Sequence, residues 1–556
     1  MAPDTHHDVF NQVDEPAAQD MLAHDAALLH ALHRDHARWS QPALQDYAAR
    51  LTSPSTWQWA QQANSHPPRL QAFDARGRRI NTVHYHPCWH ALLTLFREQG
   101  LVSLPYDSTR AGRWTAWAAG FYLHGQVEQG SLCPATMTTA AIGVLRHETA
   151  LWPHIKAGLY ARQFDGIDRP WPDKQALWVG MGMTEKQGGS DVRANTTLAV
   201  PEGPSGRGQA YRLTGHKWFY SAPMSDAHLV VAQTPDAGPA CFWVPRWQPD
   251  GTRNAVQLQQ LKDKVGNRSN ASSEVEFHGA YGLLLGEPGR GIPTIIEMAT
   301  TTRLCCVLGS SAILRQALVQ ALHYAWRRQA FGAALAQQPL MRAVLADMAL
   351  ESEAATTLAM RLAAAYEACE GADPPLAERA WKRLMTPAAK FWVCKRAVEV
   401  TGEAMEVLGG NGYVEPAVVA RLFREAPVNS IWEGSGNIMC LDMLRALAKE
   451  PEAAQALLAS LVDAAGEDHH LLADIHALQA LLHRPADEQA LLARWIAQKL
   501  VLVAQACLLR RHAPAWVADA FIATRIVHGT ARVVGAIDAR AIDVATLLDR
   551  AWPRDA

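Results

Sequence analysis

The chain has 556 residues, of which 49% are hydrophobic, and a formal net charge of -2 at pH 7. This length is enough to bury a large core and, at about 100 to 200 residues per domain, to form about three or four domains. The near-neutral charge excludes attraction of the whole chain to nucleic acid or to anionic membranes, so any such binding must come from a local patch.

Nine scattered cysteines form no C-x-x-C pair, which favours a reducing compartment over a disulfide framework or a zinc ribbon. The N-terminus has no basic segment followed by an apolar one, and we find no apolar run of membrane-spanning length. We therefore predict a cytoplasmic protein without a membrane segment.

Residues 1–176 predict an N-terminal arm followed by a helical domain. The first twenty or so residues are polar and interrupted by Pro3 and Pro16, which is typical of an arm that docks onto something larger. Beyond them, apolar side chains such as Leu28 and Leu32 recur at helical spacing.

Four possible metal ligands, His84, His86, Cys88 and His90, alternate within this domain. They would share one face only on a strand that continues through Pro87, and proline disrupts a central strand. No carboxylate completes a recognisable ligand spacing. We therefore predict no metal site here.

Residues 177–288 predict a compact middle β domain. Its short β-rich runs are separated by turn residues and lie at 177–179, 211–213, 229–232, 241–244 and 275–277. Helical periodicity then returns over 289–449, with interruptions at glycines and prolines that divide it into the helices of a bundle. Residues 450–556 predict a further helical extension.

Three segments carry side chains or backbone groups suited to binding a ligand, although each also has a purely structural explanation. The segment 182–191 follows a strand and offers backbone N–H groups and hydroxyls to a phosphate or a polar ring edge, or it is a polar turn. The segment 217–221 is aromatic and ends in a hydroxyl, or it is a buried strand. The segment 327–332 combines cations with an aromatic, or reflects the charge preference of a helix C-terminus.

Glu433 is the candidate catalytic base. It lies in the sequence Ile-Trp-Glu-Gly-Ser-Gly-Asn at 431–437. A carboxylate between bulky apolar side chains loses hydration, which raises its pKa and makes it a better proton acceptor. The alternative is an ordinary acid at the start of the next helix, with Ser435 as the helix cap.

Taken in order, these segments resemble the acyl-CoA dehydrogenase family of flavoproteins over about residues 20 to 450. The family's TEP-x-x-GSD, K-x-W-I-T/S, R-x-x-F-G, GG-x-GY and YEGT motifs are similar to residues 184–191, 217–221, 328–332, 409–413 and 432–435. The resemblance implies a mainly α protein with a middle β domain. Its parts would be an N-terminal helical domain, a β-barrel-like domain and a C-terminal helical bundle, usually assembled as a homotetramer.

The same resemblance implies FAD as the cofactor and an acyl-CoA as the substrate. Glu433 would remove the acyl α-proton while the β-hydride goes to flavin N5. Arg328 and Phe331 would complete the FAD site of a neighbouring subunit. The full set of implied cofactor-binding residues is Met183, Thr184, Gly189, Ser190, Phe219, Tyr220, Ser221, Arg328, Phe331, Ile431, Trp432, Gly434, Ser435 and Asn437.

Segments 181–192, 262–271 and 428–442 resemble one branch of the family most closely. That branch implies a DNA-binding C-terminal domain, a role in the adaptive response to DNA alkylation and residual isovaleryl-CoA-like dehydrogenase activity. The alternatives are a working dehydrogenase of short or branched acyl-CoA with no DNA role, or an acyl-CoA oxidase, against which the basic balance of the extension argues.

Between residues 494 and 540 the extension has seven basic residues and two acidic ones. Such a local basic face can bind double-stranded DNA through its phosphates, without reading sequence. A solvated helix face with scattered arginines is the alternative, and the resemblance favours DNA. The candidate DNA-binding residues are Arg494, Lys499, Arg510, Arg511, Arg525 and Arg532.

Overall fold

The computed structural model describes residues 7–16, 20–529, 534 and 542–553. The predicted order of an α, a β and a second α region is confirmed, and a helical extension follows. All nine cysteines are free thiols, in agreement with the absence of a disulfide framework.

The N-terminal region is helical, as predicted. α6 and α7 are buried on nearly all sides and form its centre, whereas several peripheral helices begin with a proline in the first turn, where the missing N–H costs nothing. The helices are α1 Ala26–Arg34, α2 Gln41–Leu51, α3 Pro54–Ser65, α4 Pro87–Glu98, α5 Leu104–Asp107, α6 Arg113–Val127, α7 Leu132–Leu145 and α8 Trp152–Tyr160.

A β-hairpin that the sequence analysis did not predict lies between α3 and α4. Its strands are β1 Arg69–Phe73 and β2 Arg79–His84, and the Asp74 carboxylate in the turn accepts two backbone N–H groups. The possible metal ligands that follow do not share a strand. α4 begins at Pro87, and the His86 side chain accepts the Cys88 N–H as its cap.

The middle domain is a seven-stranded sheet in which β6, β4, β5, β9 and β7 pair in a closed ring, because β7 also pairs with β6. This geometry agrees with the predicted β-barrel-like domain. β3 is parallel to β6, and β8 pairs with β9. The strands are β3 Val179–Gly182, β4 Leu198–Pro201, β5 Ala210–Ser221, β6 Ala227–Thr234, β7 Gly238–Pro245, β8 Val256–Leu261 and β9 Ser272–Leu285.

The C-terminal bundle is built around one 37-residue helix, α9. Residues 7–16 of the arm lie against its end, where the Asn11 side chain bonds to Gln329 in both directions. The elements are α9 Gly291–Arg327, a short hairpin of β10 Gln329–Ala330 and β11 Ala333–Ala334, α10 Pro339–Ala368, α11 Leu376–Ala380, α12 Thr386–Leu408, α13 Val418–Asn429 and α14 Gly436–Lys449.

The extension contains α15 Pro451–Ala465, α16 His469–Leu482, α17 Ala486–His512, α18 Ala515–Ile522 and α19 Val544–Ala551. The extension packs directly onto the bundle. α17 packs against α10, α12 and α14, and α19 packs against α10. The side chains of this region belong to the same hydrophobic core as the bundle. Arg525 pairs with Asp347 and Glu351, and Arg550 pairs with Glu353, so ion pairs join the extension to α10.

Two helices are longer and more apolar than the sequence analysis recognised. α9 and α17 have the length and composition to cross a membrane, but their most apolar stretches are 100% and 67% buried inside the protein. Long core helices of globular proteins have the same composition.

Candidate active site

Glu433 lies in a tight turn between α13 and α14. Its own φ is +60° and that of Gly434 is +108°, so two consecutive residues adopt left-handed backbone that L side chains rarely adopt. A side chain at 434 would also collide with Met439 at the start of α14. The turn therefore requires glycine after the glutamate.

Three side chains from neighbouring helices hold this turn. Thr302 of α9 donates a 2.6 Å hydrogen bond to Glu433 Oε2, and Arg303 donates to the Glu433 carbonyl at 3.0 Å. Lys390 of α12 donates to the Gly434 carbonyl at 2.8 Å. Glu433 Oε1 accepts no hydrogen bond from the described residues, so one carboxylate oxygen stays open.

Burial raises the pKa of Glu433, while the Thr302 hydrogen bond and the charges of Arg303 and Lys390 lower it in part. The direction agrees with the prediction, and loss of hydration is its largest cause, as predicted, but Ile431 does not supply the burial. Ile431 is 65% exposed and does not crowd the carboxylate. Glu433 instead lies near three buried thiols, since its charge contributes to the raised pKa values of Cys133, Cys305 and Cys306.

Cys133 links the base to the middle domain. Burial raises the pKa of its thiol to about 12, an effect that the Glu433 charge adds to and that hydrogen bonds with Ser221 and Asn270 reduce. Ser221 also lies 3.0 Å from Ser272, hydroxyl to hydroxyl. Ser221 and Glu433, which are 212 positions apart in sequence, therefore both lie near the Cys133 thiol.

The segment after β3 is fixed by a buried ion pair. Lys217 Nζ lies 2.6 Å from Glu185 Oε1, and both side chains are fully buried. Burial opposes ionisation of Glu185, but the hydrogen bonds from Lys217, Thr196 and Thr197 lower its pKa to about 2. The pair ties the segment to β5 and leaves Gly189 and Ser190 exposed.

Backbone contacts orient the residues just before that pair. The Thr184 carbonyl accepts the Trp218 N–H at 2.8 Å, and Asn195 donates to the Met183 carbonyl at 2.8 Å. Gly189 lies so close to Thr184 that a β-carbon would collide with it. Met183 and Thr184 remain partly exposed, as a role at the edge of a ring requires.

The three residues at the end of β5 do not point the same way. Phe219 is 49% exposed, whereas Tyr220 is buried and stacks on His228 with ring centroids 3.7 Å apart. Tyr220 belongs to the core of the β domain and is withdrawn from the predicted cofactor contacts. The residue before Phe219 is Trp218, and Lys262 Nζ lies 3.2 Å from the centre of its ring.

Several predicted cofactor residues lie on the outer surface of the chain. Phe331 is 98% exposed at the tip of the β10–β11 hairpin, and Arg328 beside it donates to the Asn11 carbonyl. Ile431, Ser435 and Asn437 are also exposed. Ser435 stands at the N-cap position of α14, but its side chain makes no capping hydrogen bond.

Sequence analysis did not find the residues that hold the base, Thr302, Arg303 and Lys390, nor Cys133 beside it. They come from three different helices, and none belongs to a motif that spacing alone reveals. Trp432, which we expected to desolvate the base, instead donates its Nε1 hydrogen to Asn429 at 3.1 Å.

The candidate DNA-binding residues are mostly engaged within the protein. Arg525 is buried against Asp347 and is withdrawn from the set, because its guanidinium cannot reach a duplex. Lys499, Arg510 and Arg511 are paired with Asp474, Asp468 and Asp463. Arg494 is exposed and makes no ion pair with the described residues, and Arg532 lies outside the part of the chain that the structure describes.

A β domain between two helical regions, with a glutamate held in a turn between α13 and α14, is the architecture of the flavin-dependent acyl-CoA dehydrogenase class. Comparison with family models agrees. The N-terminal domain of the adaptive response protein AidB matches residues 11–166, the acyl-CoA dehydrogenase middle domain matches 180–280, and the acyl-CoA dehydrogenase C-terminal domain matches 289–448.

The chain belongs to the acyl-CoA dehydrogenase family. It is 46% identical over 501 residues to the putative acyl-CoA dehydrogenase AidB of Escherichia coli K12, covering 89% of this chain and 90% of that protein. It is 31% identical over 417 residues to acyl-CoA dehydrogenase family member 11 of Caenorhabditis elegans, covering 72% of this chain and 66% of that one.

Two solved structures have the same fold. The apo form of Bd2924 has a TM-score of 0.82 at 29% identity and covers 90% of this chain and 100% of its own. Caenorhabditis elegans ACDH-11 in complex with C11-CoA has a TM-score of 0.84 at 25% identity and covers 99% and 93%.

FAD is the cofactor of this family, and the residues present fit it. The exposed Phe219 offers an aromatic face, and the hydroxyls of Thr184, Ser190 and Ser221 offer hydrogen bonds to ring-edge and phosphate atoms. These groups come from two neighbouring segments of the middle domain, and Ser221 and Glu433 both act on the pKa of the Cys133 thiol.

Proposed function

We propose that the protein is an FAD-dependent dehydrogenase of an acyl-CoA in which Glu433 is the catalytic base. The observation that carries this proposal is the Glu433 carboxylate, which burial makes a stronger proton acceptor and which Thr302, Arg303 and Lys390 hold in a fixed turn. FAD, when bound, supplies the hydride acceptor.

The chain's own residues prepare proton removal. Thr302 holds one carboxylate oxygen of Glu433 and leaves the other open to an acyl α-carbon. Arg303 and Lys390 hold the two carbonyls of the turn, so the strained backbone cannot relax and move the base.

The substrate class is supported by a relative, since ACDH-11 was solved with C11-CoA. For this chain we propose a short or branched acyl-CoA, with isovaleryl-CoA as the probe. Glu433→Gln removes the proton acceptor while keeping the shape, so anaerobic flavin reduction by isovaleryl-CoA should slow by about 10²- to 10⁴-fold. FAD content should be unchanged.

Glu452→Gln is the matched control, because Glu452 is an exposed carboxylate on α15 and takes no part in holding Glu433. It should reduce its flavin at the wild-type rate. Equal rates in wild type and Glu433→Gln would refute the assigned base, and a chain that cannot be loaded with FAD would refute the proposed activity.

We propose as a second function that the protein binds double-stranded DNA in the adaptive response to alkylation. The similarity to AidB supports it, as does one feature of the surface. Arg494 and Lys395 flank the Phe391 ring, at 5.4 and 5.9 Å from its centre. The exposed Trp495 follows directly.

Phosphate contacts should therefore depend on Arg494 and Lys395 more than on the ion-paired arginines. The double variant Arg494→Gln, Lys395→Gln should bind a fluorescent duplex more weakly. The slope of log affinity against log salt should become shallower by about two, because about two fewer counterions are released. Arg510→Gln is the control and should have a smaller effect. Full-length protein that binds no duplex at low salt would remove this function.

We also propose a cytoplasmic homotetramer. The exposed Phe10, Phe331 and Tyr413 support association, since large apolar side chains at 81%, 98% and 81% exposure are typical of contact surfaces. Light scattering should give four times the chain mass, and Phe331→Ser should lower it. A monomer at micromolar concentration would contradict the proposal.

A further inference from the structure

The N-terminal arm holds the small hairpin that follows α9. The side chain of Asn11 donates a hydrogen bond to the Gln329 carbonyl at 2.8 Å and accepts one from the Gln329 N–H at 2.9 Å. The Asn11 carbonyl in turn accepts a hydrogen bond from the Arg328 guanidinium. A single residue of the arm therefore fixes both the first residue of β10 and the charged side chain before it.

A second contact fixes the arm three residues further along. The His323 ring of α9 lies with its Nε2 atom 2.9 Å from the Asp14 carbonyl. Because a carbonyl only accepts hydrogen bonds, Nε2 is the donor. Burial lowers the pKa of His323, so the ring is neutral at neutral pH and has its single proton in this bond. The path of the arm is thus set against α9 at both Asn11 and Asp14.

The hairpin has few other contacts to hold it. Its strands β10 and β11 pair at two positions, and a two-stranded hairpin is marginally stable by itself. From the chain that follows, Gln338 donates to the Ala330 carbonyl at 3.2 Å. The outer edge of β10 pairs with no other strand among the described residues. The Asn11 amide, which both donates and accepts, takes the place of a neighbouring strand at that edge.

The turn of the hairpin is strained. Phe331 has a φ of +51° and Gly332 a φ of +82°, and in such a turn glycine, asparagine and aspartate are the preferred residues. A side chain in left-handed backbone persists only where the surrounding structure enforces it. The Phe331 ring is 98% exposed, so its own packing within the chain does not hold the turn. The strands and the arm must do so.

From these contacts we infer that Asn11 is a positioning residue of the FAD site. It holds the hairpin in the orientation in which Arg328 and Phe331 reach the cofactor of a neighbouring subunit. A guanidinium suits the diphosphate of FAD, and an exposed ring packs against its planar groups. The inference rests on the proposed FAD-dependent function and homotetramer. It adds that a residue of the arm, which touches no cofactor, sets the affinity for FAD.

The test is titration of the flavin-free, full-length protein with FAD, followed by the quenching of FAD fluorescence. Asn11 has a φ of +53°, so Asn11→Gly removes the amide without straining the backbone. This variant should raise the dissociation constant of FAD about fivefold or more, because binding must then order a loosened hairpin. Gln12→Gly is the matched control. It removes an exposed amide from the next position of the arm and should bind FAD as tightly as wild type.

A second comparison separates positioning from a general loss of stability. The background Arg328→Gln, Phe331→Leu lacks both groups that the hairpin presents. There, Asn11→Gly should raise the FAD dissociation constant by no more than about twofold, because effects that act through the same groups are not additive. Equal FAD affinity in wild type and Asn11→Gly, or an equal loss in both backgrounds, would overturn this inference alone. Wild-type protein that binds no FAD would overturn the proposed function with it.

Discussion

The hydrogen bond from Thr302 to Glu433 gives the sharpest prediction about the proposed chemistry. Thr302→Val keeps the shape of the side chain and removes the 2.6 Å hydrogen bond to Oε2. A hydrogen bond to a charged group contributes about 1.5 to 3 kcal/mol. The variant should therefore favour protonated over ionised Glu433 by a further factor of about 10 to 100 at fixed pH.

The consequence is a change in the pH profile rather than a simple loss of rate. The limb of the flavin-reduction profile that reports deprotonation of Glu433 should move to higher pH in Thr302→Val. Stopped-flow measurement of flavin bleaching by isovaleryl-CoA, at half-unit steps of pH, gives this limb directly. FAD content measured on the same samples separates the effect from cofactor loss.

Thr300→Val is the matched control, because the Thr300 hydroxyl bonds to the Ile296 carbonyl and not to Glu433. Its profile should coincide with that of wild type. The reasoning fails if the limb in Thr302→Val stays in place or moves to lower pH, since either result would mean that Thr302 does not stabilise the ionised carboxylate.

Burial also makes the stability of the protein depend on the ionisation of Glu433. Its pKa is raised in the folded protein, so the protonated form is favoured by folding. That contribution is complete below the unfolded-state pKa and is lost as pH rises through the folded-state pKa. Thr302→Val should therefore lose more stability at pH 8 than at pH 5, as measured by urea unfolding.

Three further changes test the surrounding structure. Arg525→Met removes the buried guanidinium that pairs with Asp347, so urea unfolding should show a loss of about 3 to 5 kcal/mol, and a loss below 1 kcal/mol would contradict the buried pair. Tyr220→Phe should keep FAD affinity within about twofold of wild type. Phe219→Ala should weaken FAD affinity about tenfold or more, because it removes an aromatic ring that can stack on the flavin. Fluorescence titration measures both affinities. The pKa of Glu185 is lowered to about 2, so its contribution to stability is present above the unfolded-state pKa and is lost as pH falls from about 4.5 to about 2. Lys217→Met should remove that acid dependence in circular-dichroism titrations. An unchanged midpoint of acid unfolding would argue against the pair.

The order of domains and the position of the base follow from sequence, because the motifs are local and spaced along the chain. The turn at Glu433 is an example, since the bulky residues before it and the glycine after it are adjacent in sequence. The direction of its pKa shift was also predictable. Loss of hydration, its predicted cause, is also the largest one. The partners Thr302, Arg303 and Lys390 were not predictable, because they reach the turn only through tertiary packing.

Tyr220 illustrates a failure with a specific physical reason. The pairing of β5 with β9 is irregular between Lys217 and Tyr220, so strict alternation does not hold there. Both residues point into the protein, and Phe219 points outward. A bulge of this kind depends on the partner strand, which the sequence of β5 alone does not contain.

Arg525 illustrates a second failure. A count of basic residues along the sequence assigned this side chain to an exposed basic surface, which was wrong. Its partner Asp347 lies 178 residues earlier on α10, and no local pattern indicates the contact. The local excess of basic residues in the extension is therefore partly neutralised by carboxylates from outside the counted window.

The docking of the extension onto the bundle has a consequence for how this chain can be divided. α17 and α19 cover apolar faces of α10, α12 and α14, and Arg525 and Arg550 neutralise two carboxylates of α10. A chain cut at residue 449 would expose those faces and remove the two arginines from the carboxylates of α10. The described helices of the extension therefore act as an outer wall of the bundle, and the bundle should lose stability when it is expressed without them.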